Sequence, residues 1–296
     1  MGNNPYLQLI RPANLITSAT DILAGVALAT LLSNMPDAGN SKIIGPILLV
    51  CSSLLLYAGG IAFNDIFDLK IDTTERPERP LPSGRIPLRK AVGYATVLLA
   101  LGILLAFLHH RLSGFLAIII ATFALIYNKW GKHHTFFGPF NMGFLRGINL
   151  LLGLSLIPEV VYSHYLLGTI PWIYIFTITL VSRGEVHGGR VKPLLSALAL
   201  YIVVDGAILS IGFRLGKLWL PMLFALLHLL YILPPLFQAI QDPVPPHIRK
   251  TVKHGVLGII IIDALWVSIT EYWYLAFLIL LLLPLSQKLA RYFAVT

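Results

Sequence analysis

The feature that most constrains this chain is the length of its apolar runs. They arrive in blocks of about 18 to 22 residues, the length at which one helix crosses a bilayer core. Short clusters holding nearly every Lys, Arg, Pro and Gly separate them. Read in order, the blocks predict helices near 13–33, 43–64, 88–108, 113–128, 140–157, 168–183, 193–213, 217–238, 253–270 and 272–292. The last two could be one broken element, which makes nine or ten transmembrane helices. Only 12% of the 296 residues are charged and mean hydropathy is +0.80. That charge content is about half of what a soluble domain carries, so a water-soluble enzyme is excluded.

The formal charge of +9 would suggest nucleic acid in a soluble protein. Here the basic residues lie between spans, so the balance reads as topology and not as a nucleic-acid footprint. The termini and the loops after spans two, four, six and eight hold 17 of the 22 Lys and Arg; Lys42, Arg111, Arg214 and Lys217 occupy the other side. The positive-inside rule predicts that the 17 face the cytoplasm. The chain then reads as a multi-pass protein of the cell inner membrane with its functional loops cytoplasmic. The first block follows Arg11 and Pro12 and has no convincing cleavage site before Pro36, so it is expected to stay as an anchor. A lone Cys51 in an apolar run leaves no disulfide framework and no cysteine metal site. One unit spanning 1–296 is expected, with helical bundles at about 13–128 and 140–238 and C-terminal helices over 253–292. The parallel between the two bundles hints at an internal duplication.

Scarcity of charge makes one cluster informative. Asp65, Asp68, Asp72, Glu75 and Glu78, five of the 13 acids, fall within 14 positions at the end of span two. At about 100° per residue, Asn64, Asp65, Asp68 and Asp72 share one arc of about 100°. Carboxylates on one face repel each other unless a cation sits among them. Oxygen donors with one amide suit Mg²⁺, which takes one or two carboxylates and completes its shell with phosphate oxygens and water. Asn64, Asp65, Asp68 and Asp72 are therefore candidate metal ligands at a phosphate site. Ile66, Phe67 and Ile71 are apolar and can pack against neighbouring helices.

The run Asn64-Asp65-Ile66-Phe67-Asp68-Leu69-Lys70-Ile71-Asp72, followed by Arg76-Pro77-Glu78-Arg79-Pro80-Leu81-Pro82-Ser83-Gly84-Arg85, resembles the first Asp-rich motif and adjoining loop of the UbiA superfamily of intramembrane prenyltransferases. Arg11-Pro12-Ala13-Asn14 at the start of span one and Tyr127-Asn128-Lys129 at the end of span four extend the likeness. The resemblance implies an all-α integral membrane bundle of about nine spans around a central cavity. It further implies a prenyl diphosphate in that cavity, its diphosphate held by Mg²⁺ at the cytoplasmic end, and an acceptor that one sequence does not identify. Asp68, Asp72 and Tyr127 are the candidate catalytic residues. Lys70, Arg76, Lys129 and Arg146 would steady the diphosphate, with Arg79 adding charge, while Asn14 and Tyr127 would line the site near the reacting carbon. Departure of diphosphate from the allylic carbon needs this kind of electrostatic neutralisation in a site that keeps water out.

Where typical members carry a second Asp-rich motif after span six, this chain has Ser182-Arg183-Gly184-Glu185-Val186-His187-Gly188-Gly189-Arg190. The string resembles the UbiA-like branch encoded in ebo gene clusters. It holds one carboxylate, Glu185, and His187 could stand in as a base or substitute ligand. Its glycines could break the helix and bring backbone N–H groups, with Arg183 and Arg190, to phosphate oxygens. A second reading is a non-catalytic isoprenoid-binding or transport component that kept the first motif and lost the second. A CDP-alcohol phosphatidyl transferase is disfavoured, because no DGxxAR-type sequence is present. Asp21, Arg146, Asp205 and Asp263 fall inside spans and should face the interior, paired or hydrated. Internal pairing is expected for Asp205 and Asp263. For Arg146, a polar-head contact competes with an ion pair to one of these aspartates. The histidines at span ends are assigned no role.

Overall fold

The computed structural model describes residues 4–33, 43–186 and 188–292, and every regular element among them is helical. In chain order these are α1 (Pro5–Ile10), α2 (Pro12–Leu32), α3 (Ile44–Phe67), α4 (Leu69–Glu75), α5 (Leu88–His109), α6 (Arg111–Lys129), α7 (Phe137–Leu154), α8 (Pro158–His164), α9 (Thr169–Ser182), α10 (Val191–Arg214), α11 (Trp219–Gln241), α12 (Pro245–Ser268) and α13 (Trp273–Tyr292). Eight candidate membrane spans meet both length and hydropathy: α2, α3, α5, α6, the continuous stretch Pro158–Ser182, α10, α11 and α12. The shorter, more polar α7 and the C-terminal α13 correspond to the two remaining apolar blocks. Rather than forming one broken element, α12 and α13 are separate helices packed side by side.

Prolines set several starts. Pro12, Pro158 and Pro245 stand at the first helical positions, where a missing N–H costs nothing and the fixed φ suits the helix. The helices α2, α3, α5 and α6 pack as one group, and α7, α9, α10 and α11 as another; α7 joins them by packing against α2, α6 and α3. Between them runs α12, in contact with α2, α9, α11 and α13, and every residue from Leu257 to Ser268 is buried. A helix apolar on all sides belongs in such a central position.

Lipid tails offer no hydrophobic contrast to Leu, so helices in a bilayer associate largely through close packing of small residues. Gly25 on α2 and Gly153 on α7 do this reciprocally. A Cβ on Gly25 would meet the Leu150 carbonyl oxygen at 2.5 Å, and one on Gly153 the Ile22 carbonyl oxygen at 2.6 Å. A small satellite core of Leu9, Ala62, Leu81, Ile86, Ala91 and Ala95 pins α1 and the 76–87 loop against the end of α3. That loop carries Arg79, so the satellite core fixes where its guanidinium falls.

Candidate active site

The acidic segment bends at Asp68, which ends α3 and opens α4. The hydrogen-bond ladder nevertheless continues, from Asp68 N to the Asn64 carbonyl (2.9 Å) and from Asp72 N to the Asp68 carbonyl (2.8 Å). The four polar residues therefore stay on one side, as helical spacing requires, and they group in two pairs. Arg79 Nη1 bridges Asp72 Oδ2 at 2.6 Å and Asp65 Oδ1 at 3.4 Å, while Arg11 Nη2 meets the same Asp65 oxygen at 2.6 Å. The Lys132 ammonium contacts Asp68 and reaches Asn64 Oδ1 at 3.5 Å. Asp65 and Asp72 are buried, so each needs its cation: an unpaired buried charge is far more costly than a paired one. Of the three apolar residues that could pack against neighbouring helices, Ile66 packs against the satellite core, whereas Phe67 and Ile71 are exposed.

Arg11 is set by its backbone. Sitting between α1 and α2 with φ 48°, it is the one described non-glycine residue in the left-handed region, a conformation that costs free energy and clusters at functional sites. Burial pulls its guanidinium below the ordinary arginine value, with Asp65 opposing the shift. Arginine starts so high that it stays charged.

Arg11 and Asn64 of this cluster line one end of a chamber of about 390 Å³ among the helices. Arg11, Asn14, Asn64, Tyr127, Ser182 and Glu185 line that end; Ile120, Met142, Leu145, Ile175, Val256 and Ile259 line the apolar body. Asn128 Nδ2 donates to the Gly60 carbonyl at 2.8 Å, locking α6 to α3 beside Tyr127.

Several cations read from the sequence stand elsewhere. Lys70 and Arg76 are exposed at the rim. Lys129 is exposed and lies over the Trp130 ring, 4.4 Å from its centroid. After α6 a short 3-10 turn over Gly131–His133 reverses the chain and sends Lys132 back to the carboxylates. Arg11, Arg79 and Lys132 are thus the cations in direct contact. The only signal for Lys132 was its place three residues beyond Lys129. Arg183 donates to the His134 carbonyl and ties the end of α9 to this turn.

Arg146 lines the deep wall, nine residues and so about 14 Å along α7 from its start. Its Nε lies 2.5 Å from Asp21 Oδ2 and its Nη2 donates to the Thr17 carbonyl, so the internal ion pair is formed. Asn149 Nδ2 donates to Asp21 at 2.9 Å, and Thr20 Oγ1 donates to Asp263 at 2.5 Å. Asp205 Oδ2 pairs with His228 Nδ1 at 2.9 Å, both buried, and Tyr174 OH donates to the Gly255 carbonyl beside them.

The Gly-rich segment does not present its amides to the chamber. The N–H groups of Gly184, Glu185, Gly188 and Gly189 go to the carbonyls of Val181, Ser182, Gly184 and Pro243, which corrects the expected phosphate cradle. Gly188 has φ 83°, and a Cβ on Gly184 would lie 2.7 Å from Ile248 Cδ1, so these glycines serve the tight turn against α12. Arg190 is exposed, and His187 lies outside the described residues. Glu185 remains in the wall with Oε1 buried and without a hydrogen-bond partner among the described residues. Burial pushes its carboxyl above the ordinary value, opposed by Arg249 and Arg76.

The donor set fits a divalent cation bound jointly with phosphate. No described group of three or more His, Cys, Asp or Glu forms an all-protein cage, but Mg²⁺ seldom uses one and takes one or two carboxylates with phosphate oxygens. The Arg79 guanidinium already lies between Asp65 and Asp72, so the space between those carboxylates accommodates positive charge.

The profile of the UbiA prenyltransferase family matches residues 22–252. The chain is 33% identical over 155 residues to the digeranylgeranylglyceryl phosphate synthase of Methanosarcina barkeri, covering 51% of this chain and 54% of that protein. It spans about half the length of the curated relatives it matches. Its fold is similar to a UbiA homologue from Aeropyrum pernix (TM-score 0.66, 18% identity, 85% of this chain and 96% of the other). It is also similar to a UbiA homologue from Archaeoglobus fulgidus bound to DMAPP and Mg²⁺ (TM-score 0.63, 16% identity, 92% and 99%).

Proposed function

Since the chain belongs to the UbiA prenyltransferase family, we propose that it is a membrane prenyltransferase that moves an isoprenyl group from its diphosphate to an acceptor. One observation carries the reading. Three carboxylates and an amide are interleaved with three directly contacting cations, and two members of that cluster, Arg11 and Asn64, line one end of a mostly apolar chamber whose deep wall also carries Arg146 and Asn149. A prenyl diphosphate has the same division, an anionic head and a hydrocarbon tail.

Asn64, Asp65, Asp68 and Asp72 would hold Mg²⁺, which when bound neutralises the departing diphosphate. Arg11, Arg79 and Lys132 would donate to diphosphate oxygens, as charge-assisted bonds that strengthen when charge develops on the leaving group. Lys70, Arg76 and Arg183 on the rim add a positive field that draws anionic substrate inward. Asn14 and Tyr127, which line the chamber, would flank the allylic carbon. The apolar wall excludes water that would capture the developing cation. The distribution of basic residues supports a cytoplasmic location for this mouth. The named relatives support an isoprenoid lipid pathway and a glyceryl phosphate acceptor as the first to try.

The lone Glu185 in the second motif favours one competing reading, a binding or transport component without turnover. Purified protein with geranylgeranyl diphosphate and Mg²⁺ separates them. Prenyl transfer to any acceptor of a panel, lost on chelation, supports the enzyme, while tight binding with no transfer supports the carrier. If wild type binds the diphosphate no better than an Asp68→Ala, Asp72→Ala variant, the site assignment fails.

A further inference from the structure

When a prenyl group joins a nucleophile that carries a proton, something must take that proton. Asp65, Asp68 and Asp72 are each committed to a basic side chain. Glu185 differs in three ways. Among the described residues it is the one carboxylate that lines the chamber. Its Oε1 is buried there with no hydrogen-bond partner among the described residues. The nearest cation on α12, Arg249, spends its Nε on the Glu185 main-chain carbonyl at 3.0 Å and not on the carboxylate. A buried carboxylate oxygen left without a donor carries a desolvation cost, and such groups call for an explanation.

We infer that Glu185 is the base that takes the proton from an acceptor hydroxyl as the prenyl group is transferred. The inference rests on the prenyltransferase reading and names the acceptor class as an alcohol or phenol, with an ether as product. In the step, the bond from the allylic carbon to the diphosphate oxygen breaks and its electron pair leaves with diphosphate. A lone pair of the acceptor oxygen forms the new carbon–oxygen bond. The O–H pair stays on that oxygen, and the proton goes to Glu185 Oε1. Glu185 is half-buried, so the proton can pass from its carboxyl to water at the mouth.

The electrostatic setting agrees. Burial raises the carboxyl above its ordinary value and so makes it a better base, while Arg249 of α12 and Arg76 of the loop after α4 oppose the shift. Arg11, between α1 and α2, and Tyr127 of α6 share the chamber wall, and Arg183 and Arg190 flank Glu185 on its own loop.

The test uses the full chain in nanodiscs with Mg²⁺ and geranylgeranyl diphosphate carrying ¹⁸O at the bridging position. Scrambling of that label reports cleavage and return of the carbon–oxygen bond without any acceptor. Transfer is measured with geranylgeranylglyceryl phosphate and with a simple phenol. Glu185→Gln should scramble within about threefold of wild type while losing transfer by about 100-fold or more, the range of general base catalysis. Glu185→Asp should recover part of the loss, and the acid limb of the transfer-rate profile should vanish in Glu185→Gln. Undiminished transfer by Glu185→Gln overturns the inference. So does loss of scrambling together with transfer, which would make Glu185 part of the metal or diphosphate site. Wild type that scrambles yet transfers to neither hydroxyl also overturns it and leaves the diphosphate site standing. Wild type that neither binds nor scrambles the diphosphate overturns the proposed function and this inference with it.

Discussion

Arg11 Nη2 lies 2.6 Å from Asp65 Oδ1, across 54 residues of sequence, from the one described non-glycine residue with a left-handed backbone. A strained residue is kept here because its side chain neutralises a buried carboxylate. Arg11→Ala should weaken prenyl diphosphate binding by about 10- to 100-fold, the loss of one charge-assisted hydrogen bond of about 1.5–3 kcal/mol. Isothermal titration in detergent would measure it, and an unchanged affinity would remove Arg11 from the site.

Lys132 and Lys129 are three residues apart, yet Lys132 contacts Asp68 whereas Lys129 is exposed and lies over the Trp130 ring. Lys132→Ala should cost about tenfold or more in diphosphate affinity by the same arithmetic, and Lys129→Ala less than about threefold. Equal losses would contradict the turn that separates them.

The buried His228–Asp205 pair should be structural. His228→Ala leaves Asp205 without its partner inside the bundle, at a cost of about 3 kcal/mol. The double variant with Asp205→Ala should be less destabilised than the sum of the single changes. Thermal unfolding midpoints of the four proteins give the coupling, and strict additivity would deny the interaction.

Gly25→Ala should destabilise the α2–α7 contact by about 1–3 kcal/mol, because the added methyl meets a backbone carbonyl and not a flexible side chain. A neighbouring outward position on α2 should tolerate the same change. Solubilised yield and unfolding midpoint report the difference.

Glu185 also bears on stability. Burial raises its folded-state pKa above the unfolded value near 4.5. Its stabilising contribution is therefore fully present below about pH 4.5 and is lost as pH rises through the raised folded value. Relative to wild type, Glu185→Gln should be the more stable protein at pH 7.5, with the gap closing towards pH 4.5. A gap that widens on acidification would show that the carboxylate is stabilised by its arginines instead.

The sequence by itself determined what depends on local periodicity. Block lengths located the helices, and the spacing of Asn64, Asp65, Asp68 and Asp72 on a helical wheel already pairs 64 with 68 and 65 with 72, the grouping that Lys132 and Arg79 respect. Apolar runs and a 3.6-residue repeat are properties of the chain at short range, so one sequence displays them. What only the tertiary structure decided is which cations arrive. Arg76 and Lys129 sit closer in sequence to expected motif positions than Arg79 and Lys132, yet they are exposed and make no ion pair with the carboxylates among the described residues. A satellite core around Leu81 and Ile86 and a 3-10 turn after Trp130 set those directions. Likewise, the amides of the Gly-rich turn went to carbonyls as distant as Pro243, and Arg146 went to Asp21 across the α2–α7 contact. Partner choice for a long flexible side chain depends on loop geometry and on contacts between residues more than a hundred positions apart, and neither leaves a periodic trace in the sequence.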